Sequence, residues 1–216
     1  MVTEVGESFS LAGRGVFVSA SIPDPGRWSG RFDALAITDA VVAVARTILA
    51  RDGRIITAAH PTIAPLLLYV AAEQPQSAEP FVVVYQSEVF RDVWPPATLR
   101  FEAQRVGKVI RTPSVGEEPP DPRLAPQSLE LMRTQLMRNE RLVGAVFIGG
   151  MKGIRHEHHL FSNLCPDAPT YALGTPGGEA AKLVDSSPHD LQDMLASQAI
   201  YPAVARRIVA DIARRQ

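Results

Sequence analysis

Two glycine-rich runs stand out for the chemistry they permit: Gly149-Gly150-Met151-Lys152-Gly153 and Gly174-Thr175-Pro176-Gly177-Gly178. Each follows an apolar strand-like stretch and precedes a segment of helical character. Without a Cβ the backbone can approach an anion closely, and the first turn of a helix presents unpaired N–H groups with partial positive charge. A phosphate-bearing ligand is the natural occupant of such a turn. Neither run continues into Gly-Lys-Ser/Thr, so Mg-nucleoside triphosphate hydrolysis is not expected. His60 follows a strand and precedes a helix started by Pro61; with Thr62, Ser19 and Ser21 it offers polar groups at neighbouring strand ends. Gly149, Gly150, Met151 and Gly153 form the expected phosphate loop, and Thr175, Gly177 and Gly178 a second contact for phosphate or ribose.

Other chemistries are less well supported. His156, Glu157, His158 and His159 resemble a metal cluster, but the zincin pattern needs histidine at 160, where Leu160 stands. The three histidines are read as ordinary helix residues, and neither a metal nor a cofactor is expected. Cys165 is the single cysteine. No intramolecular disulfide or four-cysteine zinc site is available, and the thiol reads as structural.

The elements that must position these residues alternate. Strand-like runs at 16–20, 54–59, 81–85, 141–148 and 170–173 are separated by helical periodicity at 33–51, 60–73, 128–140 and 154–163, with a tail helix at about 201–214. A weaker alternating stretch, 105–111, reads as an edge strand, and one more helix is expected after Gly178. Alternation of this kind implies right-handed crossovers and a Rossmann-like three-layer α/β/α fold with a mainly parallel sheet. Ligands then bind beyond the carboxyl ends of the strands, where strand order reverses.

Composition narrows the function classes. With 22 basic and 23 acidic residues the net charge is -1, which disfavours a dedicated nucleic-acid binder. The acidic N-terminus and the lack of a long apolar run point to a cytoplasmic protein without a membrane partner. A length of 216 residues fits one domain, 1–216, with its own core. Five of the 18 prolines fall within 112–126, a stretch without periodicity that reads as a lid, binding loop or tether.

The motif Arg133-Thr134-Gln135-Leu136-Met137, then Gly149-Gly150, then Gly153-Ile154-Arg155-His156-Glu157 resembles the Arg-Lys-x-x-Met … Pro-Gly-Gly-x-Gly-Thr-x-x-Glu signature of the Lonely Guy phosphoribohydrolases. Together with the 58–66 segment, the chain is similar to the broader SLOG superfamily, which also holds the DNA-processing protein DprA and bacterial sensor domains. Ile148 stands where the enzymes have Pro, one extra residue separates Gly150 from Gly153, and Ile154 replaces Thr. Ala58-Ala59-His60 replaces a glycine-rich loop. Arg133 and Glu157 survive, for which the resemblance implies a guanidinium that neutralises phosphate charge and a carboxylate that holds ribose hydroxyls or stabilises oxocarbenium character, while the phosphate cradle is rebuilt, which favours a different ligand. The resemblance implies binding or sensing of a nucleotide or NAD-derived molecule in bacterial signalling or antiviral defence. A separately encoded effector and a homodimer follow from the same resemblance. The alternative is N-glycosidic hydrolysis with Arg133 and Glu157 as the catalytic pair; a third reading, DprA-like single-strand DNA binding, is disfavoured by the charge balance.

Overall fold

The computed structural model describes residues 10–58, 60–74 and 80–216. The acidic N-terminal residues 1–9 and Ala59, read as the end of the second strand, lie outside the described residues. Among the described residues six strands form one sheet: β1 (Gly15–Ser21), β2 (Arg54–Ala58), β3 (Val82–Ser87), β4 (Gly107–Thr112), β5 (Leu142–Gly149) and β6 (Thr170–Leu173). Every pairing is parallel, in the order β4-β3-β2-β1-β5-β6. The chain therefore adds strands outward on one side of β1 and then returns to its other side, placing the reversal between β1 and β5. Register sets Ser19 beside Phe147 and Ser21 beside Gly149 at that crevice.

Among the described residues seven α-helices accompany the sheet: α1 (Ala34–Leu49), α2 (Ile63–Ala72), α3 (Pro96–Ala103), α4 (Pro126–Asn139), α5 (Lys152–Leu164), α6 (Gln192–Ser197) and α7 (Tyr201–Arg214). Parallel strands covered on both faces need apolar residues at successive positions, and β1 and β5 are buried nearly throughout. Val16, Val18, Val146 and Ile148 face one core with Ile37, Val44, Leu67, Val204 and Ile208 from α1, α2 and α7. Phe17, Ala145 and Phe147 face the other with Met132, Leu136, Ile154 and Phe161 from α4 and α5. The expected three layers follow. Asp33 caps α1 by accepting from the Ala36 amide at 3.0 Å.

Three sequence readings change. Residues 96–103 form α3, which the sequence reading leaves unassigned; Pro96 starts it at a position where a missing N–H is harmless. The helix expected after Gly178 is instead a 3-10 segment, Ala180–Ser186, followed by the short α6. The proline-rich stretch is tied to α4: Glu118 accepts from the amides of Gln127 and Ser128 at 2.9 and 2.8 Å, and the Val115 amide donates to Ser128 Oγ at 2.9 Å. Partial desolvation pushes the Glu118 carboxyl upward, but the Ser128 hydroxyl and the two amides outweigh it and hold the group below the usual carboxylate range. The loop acts as a cap for the helix that carries Arg133.

Candidate functional site

At the β1/β5 crevice the structure brings Ser19 together with Arg133 and Glu157, which lie more than a hundred residues further along the chain. Ser19, on the last turns of pleat in β1, donates its hydroxyl to Glu157 Oε2 at 2.6 Å. Arg133, on α4, donates Nε–H to Glu157 Oε1 at 2.9 Å. The ion pair is largely withdrawn from water, with side-chain exposures of 15% and 12%. Glu157 reaches inward because residues 154, 157 and 161 share the buried stripe of α5, one and two turns apart. Both carboxylate oxygens thus accept hydrogen bonds, from donors held on two other elements.

The turn that opens α5 is built from strained positions only glycine tolerates cheaply. Gly149 and Gly150 adopt φ of +66° and +68°. A Cβ on Gly150 would fall 2.1 Å from Ile154 Cγ1 and 2.9 Å from Ser21 Oγ, so the Ser21 hydroxyl lies over this turn. The Gly150 amide donates to the Ser21 carbonyl at 2.7 Å, which locks the loop to the end of β1. Met151 occupies the N-cap of α5, with no side-chain cap and no acid in the first turn. The amides opening this 13-residue helix therefore face the crevice without a protein anion to complement them. Arg133 Nη2 lies 3.6 Å from where a Gly153 Cβ would stand, so its guanidinium meets the same helix end. A cation beside the positive end of a helix is an arrangement that an anion between them would stabilise.

His60 sits across the crevice after β2. Its Nδ1 accepts from the Thr62 amide at 3.4 Å and lies 2.9 Å from Thr62 Oγ1, which places the neutral ring's proton on Nε2. Burial pushes the imidazole below its usual range, opposed by the nearby charge of Glu157. His60 and Thr62 are therefore linked to each other and, through that field, to the Arg133–Glu157 pair.

The second glycine run is placed differently. Gly177 and Gly178 also have positive φ, +77° and +72°. Their amides, however, donate to Gly174 O and Arg31 O at 3.0 and 2.9 Å, and the Glu179 amide donates to Gly150 O at 2.8 Å. A Cβ on Gly178 would fall 2.5 Å from the Gly149 carbonyl carbon. Thr175 Oγ1 is 3.2 Å from both Gln198 O and Tyr201 Oη, turned toward α7 rather than the crevice. This run supports the first turn from behind.

Among the described residues no group of three or more His, Cys, Asp or Glu is placed to hold a metal ion. His156 pairs with Glu130 of α4, and His158 hydrogen-bonds Ser186 at 2.8 Å. Cys165 is half-buried, with burial pushing its thiol up. No helix among the described residues is long and apolar enough to cross a membrane. Sequence reasoning missed a cluster on the outer face of α5, where Lys152, Arg155, His156 and His159 line a cavity with Trp28, Glu179 and Lys182. The spacing 152, 155, 156, 159 marks one helix face and was the available signal.

Among curated proteins none matches the chain. Among solved structures, the X-ray structure of TM1055, a structural-genomics target, is 14% identical and has a TM-score of 0.49; the match covers 83% of this chain and 88% of that one. A model of the SLOG cluster3 family matches residues 27–209, taking in Arg133, both glycine runs and Glu157 while leaving out β1 with Ser19 and Ser21. With that match spanning most of its length, the chain belongs to the SLOG cluster3 family.

Proposed function

We propose that the protein binds and senses a nucleotide or NAD-derived nucleotide at the β1/β5 crevice. The observation that carries this reading is the contact of Arg133 and Glu157 beside the uncapped N-terminus of α5. The ligand phosphate lies against the 149–153 turn, held by the opening amides of α5 and the Arg133 guanidinium. Glu157, with Ser19, accepts from the ribose hydroxyls, and His60 Nε2–H faces the base or a phosphate oxygen. SLOG membership supports a nucleotide-related role in general, and by likeness to that superfamily the setting is bacterial signalling or antiviral defence. The protein acts as a homodimer and passes the bound state to a separately encoded effector.

A second reading is N-glycosidic hydrolysis of a nucleoside monophosphate or NAD-like substrate. Its specific support is that Arg133 and Glu157 remain in direct contact, at 2.9 Å. Both readings are separated by incubating the protein with AMP, NAD and ADP-ribose and analysing the mixture by chromatography with mass detection. Intact nucleotides and saturable binding are the expected result. Released adenine, nicotinamide or ribose phosphate, abolished in Glu157→Gln, overturns the sensor reading in favour of the hydrolase.

A further inference from the structure

The outer face of α5 carries a cavity of about 460 Å³. Residues 152, 155, 156 and 159 line it, whereas 154, 157 and 161 form the buried stripe of the same helix. The cavity and the Arg133–Glu157 pair therefore lie on different faces of α5. Glu179, Lys182 and Trp28 complete the lining. Three fixed cations, Lys152, Arg155 and Lys182, thus surround one carboxylate.

That carboxylate is already engaged. The Glu179 side chain is only 2% exposed; its Oε1 contacts the Arg155 guanidinium, and its Oε2 accepts from Lys182 Nζ at 3.1 Å. Its amide donates to the Gly150 carbonyl at 2.8 Å, which anchors the acid beneath the two cations. The cations themselves are only partly used. Arg155 and Lys182 stay 61% and 58% exposed, and a guanidinium or ammonium keeps N–H donors beyond one carboxylate contact. Lys152 has no carboxylate partner among the described residues. His156 is held by Glu130 of α4, outside the lining, and His159 by Asn163. Two positive charges of the lining are therefore left without a counter-charge, in a concave site where an indole wall excludes water and focuses the field. A single negative charge compensates half of them. A doubly ionised phosphate matches both and offers three acceptor oxygens to the three cations. We propose that this groove is an anion site separate from the crevice, built for a phosphate dianion, free or carried as a phosphomonoester. Its binding is independent of whether the crevice holds a nucleotide.

Trp28 supplies the readout. It and Trp94 are the only tryptophans, so Trp94→Phe leaves the groove indole as sole reporter, with Lys182 Nζ 4.7 Å from its ring centroid. In that variant of the full chain, inorganic phosphate and glycerol phosphate are titrated at about pH 7.5, where phosphate is mostly doubly ionised, at constant ionic strength. A saturable change in emission with a Kd of about 1 mM or below is expected for at least one of them, and the tighter of the two identifies the source. Dimethyl phosphate, with its single charge, should bind at least about ten-fold more weakly. Lys152→Gln, which breaks no ion pair, should weaken the dianion at least about five-fold. Arg133→Ala, which disables the crevice, should leave the emission change in place, with thermal melting to confirm that it is folded. No saturable change, a change that sodium chloride reproduces, equal binding of dimethyl phosphate, or Lys152→Gln titrating like its parent overturns the groove site. Loss of the response in folded Arg133→Ala assigns the phosphate to the crevice, which overturns the groove site and leaves the crevice reading standing.

Discussion

The two glycine turns lie back to back, and composition alone does not distinguish them. Both follow a strand end and both contain two glycines at positive φ. The first opens a 13-residue helix whose N-terminus has no side-chain cap and whose second residue faces a guanidinium. The second leads into a 3-10 segment, and its amides are already bonded to Gly174 and Arg31. The difference teaches that positive φ marks where glycine is required, while the state of the neighbouring amides decides whether it serves a ligand or the packing of another loop.

The largest effect expected from this contrast is in Gly178→Ala. The substitution combines a left-handed backbone with a Cβ against the Gly149 backbone, which cannot move aside like a side-chain tip. A loss of about 3 kcal/mol is expected in denaturant titration. Gly153→Ala should do the reverse. Its nearest neighbour is Arg133 Nη2 at 3.6 Å, an ordinary contact, so stability should hold or rise by up to about 1 kcal/mol from helix propensity. Nucleotide affinity should nevertheless fall, about ten-fold by calorimetry, because the new methyl group crowds the anion position.

Arg133→Ala ranks next. It removes a charge-assisted bond to a mostly buried carboxylate, with an expected cost of about 2 kcal/mol, and it removes the cation proposed to meet the phosphate. Ser19→Ala, combined with Arg133→Ala in a double-mutant cycle, should show non-additive stability, since both side chains bond the same carboxylate. Additive losses would show that Glu157 does not couple them.

The smallest effect is a pH dependence. Burial lowers the imidazole pKa of both His60 and His158 in the folded protein. The unfolded chain therefore binds protons first as pH falls below about 6.5, and the folded state loses stability through that window until the folded histidines also titrate. Stability should thus rise with pH between about 5.5 and 7.5, and His60→Gln with His158→Gln should flatten the slope. A buried carboxylate acts lower on the scale. Desolvation raises the Asp211 pKa, but Arg215, Tyr171 and Arg214 outweigh it, so the folded value lies below the ordinary one. Its contribution is present above about pH 4 and is lost on further acidification.

Much of the sheet was legible because buried parallel strands leave apolar runs bounded by turn residues, as in residues 142–149. Helix α3 was not, since among its described side chains only Thr98 is deeply buried and its apolar positions lack a clear stripe. The Arg133 and Glu157 positions were legible through their motif, but their hydrogen bond and its extension to Ser19 depend on how α4, α5 and β1 pack. The outer groove was the least visible part. Trp28, Arg155 and Lys182 come from three separated segments, and only the tertiary fold gathers them. Glycine turns were read alike because hydrogen bonds to distant carbonyls, such as Gly178 N–H to Arg31 O, leave no local trace.

The central claim is that an anion sits on the first turn and not on the second. The direct measurement is a ¹⁵N–¹H amide spectrum of labelled protein titrated with AMP. Large shifts of the Met151, Lys152 and Gly153 amides, with Gly177 and Gly178 nearly still, are the predicted result. Saturable shifts centred on Gly177 and Gly178, or no saturable shift at any of the five, would contradict it.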